Sequence, residues 1–142
     1  MASSLGPNDV VVLSRESLES ADVRATIALN IDFVNALFEE LLEPEEVSHD
    51  ALLSYYVDYY LAEVNNGGFA QFVYNTGWKP RVVALVKEGL SVIGAVKHAE
   101  LFLEGERLVS KRRSKLSRFL ASAFFGKNDD RDGFNRINDQ IL

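Results

Sequence analysis

Apolar residues recur every three or four positions along most of this chain, which is the spacing of one face of an α-helix. The first such segment runs from about Asp22 to Leu42 and stops just before Pro44, a residue that cannot continue a helix. Its apolar positions are Ile27, Ile31, Val34, Leu37, Phe38 and Leu41. No alternating strand pattern exceeds a few residues, so the sequence predicts an all-α protein.

A second helix is predicted from an N-cap at Ser48 to about Asn65, and its composition differs from that of the first. Leucine, valine and tyrosine side chains cover nearly its whole circumference, as expected of a central helix that is surrounded by others. At about 100° per residue, Ser54 and Asp58 form its narrow polar edge, and Glu63 falls on the opposite side. The pattern therefore predicts a central Tyr-rich helix in which Glu63 points inward.

Several further helices are predicted in the second half of the chain. Pro80 suits the first turn of one helix, and Gly89 and Gly94 bracket a break that follows it. Two more helices are predicted over about 95–109 and 111–125 from their apolar spacing.

The last helix is predicted to begin near Asp132. The whole pattern predicts a single compact domain of about six to seven helices over residues 9–142, preceded by a flexible tail over residues 1–8. Ile141-Leu142 lack a C-cap signal, which predicts either a fraying helix or a chain truncated at its C-terminus.

The composition excludes several classes of function. The absence of cysteine excludes a disulfide framework, a zinc-thiolate site and a cysteine nucleophile, and it fits a reducing cytoplasm. The first residues lack the basic region and apolar run of a signal peptide, and no apolar run is long enough to span a bilayer. We therefore expect a soluble cytoplasmic protein that does not bind membranes.

The net charge of -6 is unevenly distributed, because residues 1–65 carry -11 and residues 66–142 carry +5. Such a division can provide an acidic face for a basic partner, a basic face for an anion, or two halves that attract each other in one fold. Within the acidic half, Asp32, Glu39 and Glu43 fall within about 40° of one another around the first long helix.

Glu45 and Glu46 extend this negative charge past Pro44. The acidic ridge formed by these five carboxylates is either a partner-binding surface or an ordinary solvated face opposite an apolar stripe.

Residues 63–78, EVNNGGFAQFVYNTGW, combine amides, two adjacent glycines and aromatic residues. A glycine with a positive backbone angle would reverse the chain and let a new helix begin near Phe69, with free backbone N–H groups. Glu63 is expected to accept hydrogen bonds from those groups and Asn66 to cap them, which makes the stretch a structural corner.

The functional alternative for the same stretch is a pocket for a small polar ligand. Amides orient ligands but are poor nucleophiles and poor bases, so catalysis there would depend on Glu63 alone, and we predict no catalytic residue. The residues of the corner or pocket are Glu63, Asn65, Asn66, Gly67, Gly68, Phe69, Gln71 and Asn75.

The sequence predicts no metal site and no cofactor. His49 and His98 are isolated. The segment from Asn128 to Gly133 resembles the opening of a calcium loop, but Asp139 stands where that loop needs a bidentate glutamate. We therefore expect a loop whose acids cap the last helix.

Lys111, Lys115 and Arg118 share one helical face, flanked by Arg112 and Arg113, so contact with phosphate or nucleic acid must be considered. Aromatic residues are sparse on this basic run and the protein is acidic overall, so we expect a solvated or internally paired face and no direct nucleic-acid binding.

The run from Glu63 to Phe69, followed by Gln71, Phe72, Tyr74, Asn75 and Gly77, resembles the EVNNGGFxQFxYN hallmark of a bacterial family of small helical DNA-mimic proteins. A second stretch, from Gly89 to Glu100, also resembles that family, and the resemblance covers about residues 24–140. It implies a helical fold, no known catalytic activity and, in the typifying case, a homodimer whose carboxylates imitate DNA phosphates to occupy a DNA-binding protein.

Two functions follow as expectations. The first is a non-enzymatic interaction module that regulates or inhibits a basic DNA-binding protein through its acidic face; the alternative is a small-polar-ligand-binding protein or enzyme that uses Glu63 and the amides. One ridge is too sparse to imitate a duplex, which carries one charge per about 1.7 Å, unless a second helix or subunit adds a parallel row. A homodimer is therefore an expectation of the mimic hypothesis.

Overall fold

All regular elements in the computed structural model, which describes residues 13–40 and 42–138, are helical, and the predicted all-α class is confirmed. Two short 3₁₀ helices, Pro44–Glu46 and Asn135–Ile137, accompany the α-helices. The α-helices of the described part are α1 (Arg15–Glu19), α2 (Val23–Glu39), α3 (His49–Gly67), α4 (Phe69–Thr76), α5 (Pro80–Val92), α6 (Val96–Lys111), α7 (Arg113–Leu120) and α8 (Asp129–Phe134).

Some sequence predictions fall on residues outside the described ranges. They are the flexible tail over 1–8, Leu41 of the first apolar stripe, Asp139 of the calcium-loop comparison, and the end at Ile141-Leu142. The domain limits of 9–142 also stay a prediction.

The predicted start of α2 is close to the observed one, but the predicted end at Leu42 is wrong. Asp22 caps the helix, since its carboxylate accepts a hydrogen bond from the backbone N–H of Arg24 at 3.0 Å. The helix ends at Glu39. Glu43 is extended (φ -77°, ψ 153°), as expected of a residue that precedes a proline, so the helix cannot continue to Pro44.

The break between α5 and α6 contains one glycine rather than two. Pro80 occupies the first turn of α5, as predicted. Gly89 lies buried inside α5, and the prediction that it borders the break is wrong, because glycine costs a helix only about 1 kcal/mol and packing can offset this. The chain turns at Gly94, where φ is +72°.

The predicted helix over 111–125 and the predicted start of the last helix are also wrong. α7 ends at Leu120, and α8 begins at Asp129. Asn128 explains the start of α8, because its side-chain oxygen caps that helix by accepting from the Arg131 N–H at 2.9 Å. Its amide donates to the carbonyl of Ala123, in the segment between α7 and α8, at 2.9 Å.

The chain divides into two compact units with the boundary inside α3, an N-terminal unit (residues 1–58) and a C-terminal unit (residues 59–142). In the N-terminal unit the core is aliphatic, and a buried asparagine joins α2 to α3: Asn30 Nδ2 donates to the Ala51 carbonyl at 2.9 Å. Tyr55 adds a second link, since its hydroxyl donates to Asn35 Oδ1 at 2.8 Å. The buried apolar residues here include Val34, Val47, Ala51, Leu52, Leu53 and Val57.

The C-terminal unit has an aromatic core. Its largest buried rings are Tyr60, Phe69, Phe72, Phe102, Phe119 and Phe134. Tyr60 makes edge-to-face contacts with Phe72 and Phe102, with ring centroids 5.3 and 5.2 Å apart. Gly105 on α6 leaves room for the Phe69 ring, with which any side chain at that position would collide.

Among residues 13–40 and 42–138, no helix has both the length and the apolar character that crossing a bilayer requires.

Candidate functional site

The glycine pair forms a sharp corner between α3 and α4. Gly68 has φ +82°, a conformation that side chains disfavour, and it separates Gly67, the last residue of α3, from Phe69, the first residue of α4. Gly67 is not among the residues with positive φ, but a side chain there would collide with Gln71. The sequence interpretation of this stretch as a structural corner therefore agrees with the backbone.

Two asparagines from the far end of the chain cap α4. Asn138 Oδ1 accepts from the Phe69 N–H at 2.9 Å, and Asn135 Oδ1 accepts from the Ala70 N–H at 2.7 Å. Asn135 also donates to the Gly67 carbonyl at 3.3 Å. We call Asn135 and Asn138 the asparagine clamp; it satisfies N–H groups that a helix start otherwise leaves unpaired.

The predicted capping of α4 by Glu63 and Asn66 is therefore wrong. Asn66 is exposed, as is Asn65. The sequence did contain a signal for the clamp, because Asn135 and Asn138 are three residues apart and so share one face of a helical turn. Their target, however, lies more than sixty residues earlier in the chain.

Glu63 is half-buried, and the prediction that it points into the core is wrong. Its Oε2 accepts a hydrogen bond from Asn75 Nδ2 at 2.7 Å, in an exposed contact between the ends of α3 and α4. Helical position places Glu63 on the side of Tyr56 and Tyr59, and these two tyrosines are themselves only half-buried, so this side of α3 is partly open to solvent. Glu63 and Asn75 bond each other, and the clamp uses the N–H groups of Phe69 and Ala70, so these polar groups of the predicted pocket already have partners within the fold.

The basic run is partly built into the packing of α7 on α8. Arg118 binds Asp130 through two hydrogen bonds, Nε to Oδ2 at 2.7 Å and Nη2 to Oδ1 at 2.6 Å. This bidentate contact with Arg118 lowers the pKa of Asp130 below its ordinary value. Arg112 lies over the Phe134 ring at 5.7 Å, and a side chain at Gly133 would collide with its guanidinium.

These contacts also bear on the calcium-loop resemblance. Asn128 to Gly133 form the start of a helix, and the Asp130 carboxylate is bound to Arg118. Oxygen ligands spaced along a helix do not converge as they do in a calcium loop. The expectation of a loop is wrong, and Asn128, rather than an acid, caps α8.

The carboxylates predicted to bind a partner are all exposed: Asp32, Glu39, Glu43, Glu45 and Glu46. Asp32 and Glu39 lie on α2, two helical turns and about 10 Å apart along the axis. Glu43 lies beyond the end of α2, so the prediction of one continuous helical ridge from Asp32 to Glu43 is wrong. Glu46 has a structural role as well, since its Oε2 accepts from the Glu43 N–H at 2.8 Å.

The described part of the N-terminal unit exposes more acids than the ridge alone. We call this set the acidic surface; it consists of Glu16, Glu19, Asp22, Asp32, Glu39, Glu40, Glu43, Glu45, Glu46 and Asp50. The same unit contains two basic residues, Arg15 and Arg24, besides His49. Its acids therefore far outnumber its possible internal counterions.

The fold and these features define a small all-α protein with a glycine corner, an asparagine clamp and an acidic N-terminal unit. A family model described as DMP19-like protein matches residues 45–142, and the chain belongs to this family, a DNA-mimic family. The match includes the glycine corner, Glu45 and Glu46, but not Asp32, Glu39 or Glu43. Comparison with curated proteins and with solved structures gave no match.

Proposed function

We propose that this protein is a non-enzymatic interaction module whose acidic surface binds the basic, DNA-contacting face of a DNA-binding protein and thereby regulates or inhibits it. The observation that carries the proposal is the acidic surface itself, ten exposed carboxylates in a unit with two arginines and no lysine. Membership of the DMP19-like family supports the same role.

The N-terminal unit is the better candidate for such an interface than the C-terminal unit. In the full sequence, residues 1–58 have twelve acids and two bases, whereas residues 59–142 have nine acids and thirteen bases. The acidic N-terminal unit attracts a basic protein surface, whereas the basic C-terminal unit repels it. The charge of the N-terminal unit would both steer a partner and exclude nucleic acid.

Mimicry of a duplex also sets a requirement on charge density. Asp32 and Glu39 provide two charges over about 10 Å on α2, whereas DNA provides one per about 1.7 Å of its axis. Carboxylates outside α2, such as Glu43, Glu45 and Glu46, increase the density, and a homodimer would add a second set. The proposal therefore includes a second copy at the binding surface.

A DNA-competition experiment tests the function. DNA-binding proteins from the source cell are retained on duplex DNA-cellulose and then eluted with the purified protein. We expect the wild-type protein to release a specific basic protein, and the variant Asp32→Asn, Glu39→Gln, Glu43→Gln to lose this ability. The matched control, Glu100→Gln, Glu104→Gln, Asp129→Asn, changes three exposed acids of the C-terminal unit and should elute like wild type.

Binding of the purified pair should weaken steeply as salt increases, because it depends on charge. Equal elution by the two triple variants would contradict the assignment of the acidic surface. Circular dichroism of both variants checks that neither change has unfolded the helices.

A further inference from the structure

The lining of a groove in the C-terminal unit shares no residue with the glycine corner or with the acidic surface. It has a volume of about 470 Å³ and is lined by residues from α5, α6 and α7 together with Trp78. This volume is within the range of about 300–1,000 Å³ that is typical of small-molecule sites.

The lining is largely apolar, with Trp78, Val83, Val109 and Leu116 among its residues. Trp78 has φ +52°, an unfavourable conformation for a bulky side chain. Its ring stacks on Phe102, with centroids 6.0 Å apart and planes at 25°, and this packing holds the residue in place. The strained backbone thus places the single tryptophan of the sequence at the groove.

Within the described ranges of the chain, one positive charge of the lining has no paired carboxylate. Lys87 and Glu106 pair with each other, Nζ to Oε2, at 3.0 Å. Arg113, the first residue of α7, is exposed and has no carboxylate within ion-pair distance among residues 13–40 and 42–138. Ser110 provides a hydroxyl on the same lining. A ligand that complements this groove therefore has an apolar body and one anionic group.

We propose that the groove binds a small organic carboxylate, with its hydrocarbon part against the apolar lining and its carboxylate on Arg113. Guanidinium binds carboxylate through two parallel hydrogen bonds, a geometry that an ammonium group does not offer. This site does not depend on the acidic surface, so either proposal can fail while the other stands.

Octanoate is a suitable probe, and Trp78 reports its binding, since no other tryptophan contributes to the fluorescence. Titration with octanoate should change the Trp78 emission in a saturable manner. The neutral analogue 1-octanol should bind at least about tenfold more weakly, because it cannot form the charged hydrogen bonds with Arg113. Octylamine, which is cationic, should not compete with octanoate.

Two variants locate the probe. Arg113→Gln should weaken octanoate binding about tenfold, whereas Lys115→Gln, which removes an exposed charge of the same helix outside the lining, should leave it unchanged. Ala84→Phe places a ring in the groove from an exposed position on α5, and it should abolish binding of octanoate and octanol alike.

Thermal unfolding of each variant verifies that it is folded. An emission that octanoate does not change, equal affinity for octanoate and octanol, an octanoate affinity that Arg113→Gln leaves unchanged, or octanoate binding that survives Ala84→Phe would each overturn the proposal.

Discussion

The two units of this chain differ in what holds them together and in what they expose. The C-terminal unit packs aromatic rings edge to face around Phe72 and Phe102, and it uses arginines such as Arg112 and Arg118 to join its last helices. The N-terminal unit has an aliphatic core with a buried amide, Asn30, and an acidic surface. The aromatic core thus lies in one part of the chain, and the residues proposed to bind a partner lie in another.

This segregation has an energetic reason. Carboxylates are all negatively charged, so many of them on one surface repel one another and destabilise the folded state. An aromatic core contributes a large burial free energy, since each ring buries about 150–250 Å². The family match over residues 45–142 includes the whole C-terminal unit and residues 45–58 of the N-terminal unit.

The largest expected effect is the loss of an aromatic ring from the C-terminal core. Phe102 is fully buried and contacts Tyr60, Phe69, Phe72 and Trp78. Phe102→Ala should lower the free energy of unfolding by about 3–5 kcal/mol.

In the aliphatic core, Val34→Ala, at a position that is also fully buried, should cost about 2 kcal/mol because it removes fewer methyl groups. Urea unfolding monitored by circular dichroism measures the loss of unfolding free energy in Phe102→Ala and in Val34→Ala. Equal costs would show that the aromatic cluster is no more important to stability than the aliphatic core.

The glycine corner should produce the next largest effect. Gly68→Val combines a positive φ with a collision against the asparagine clamp, and we expect a loss of about 2–4 kcal/mol. Gly77→Val is the matched control, because Gly77 also has positive φ (+62°) but a side chain there meets no atom within 4 Å in the described structure. The control should lose only about 1–2 kcal/mol, from backbone strain alone.

Equal losses for these two valine variants would mean that the collision with the asparagine clamp adds nothing to the cost of backbone strain. The loss is measured from the midpoint of urea unfolding. The dependence of the unfolding free energy on urea concentration is compared between variants to verify two-state behaviour.

Removing one side chain of the clamp should have a smaller effect. Asn138→Ala leaves the Phe69 N–H at the start of α4 without its acceptor and should cost about 1–2 kcal/mol. Asn65→Ala, an exposed asparagine of the same corner, should stay within about 0.5 kcal/mol of wild type. Hydrogen exchange at the Phe69 amide provides a local readout, and unchanged exchange in Asn138→Ala would contradict the capping role.

The smallest effect concerns acid stability. The Arg118 guanidinium lowers the pKa of Asp130 in the folded state, so the ion pair stabilises the fold above the ordinary carboxyl pKa of about 4 and loses this contribution as the pH falls. The difference in melting temperature between wild type and Asp130→Asn should therefore shrink between about pH 5 and pH 2. A difference that is constant over this range would show that the Asp130 charge does not stabilise the fold.

Local signals in the sequence predicted much of this fold. The spacing of apolar residues located α2 and α3, and Pro80 marked the start of α5. The glycine pair predicted a corner in which one glycine has a positive φ, and the structure shows that this glycine is Gly68. Each of these features depends on residues that are neighbours in the chain. Over such short distances, helical geometry relates the position of a residue in the sequence to the direction of its side chain.

Other features depend on residues that are far apart in the chain and could not be predicted this way. The clamp joins residues 135 and 138 to residues 69 and 70, and a helical wheel has no information about such a contact. The same limitation explains Glu63, because its burial depends on which neighbours cover it. The position of Glu43 has a different reason. Apolar residues continue to Leu42 in the sequence, but α2 ends at Glu39, and Glu43 is extended because it precedes Pro44.

The central claim is that the acidic surface of the N-terminal unit is the binding interface. Amide hydrogen exchange of the protein, free and in complex with a partner released from DNA-cellulose, tests it most directly. We predict slower exchange in α2 and in the segment of residues 43–46, with exchange in α7 unchanged. Protection confined to α6 and α7, with α2 unaffected, would contradict the claim.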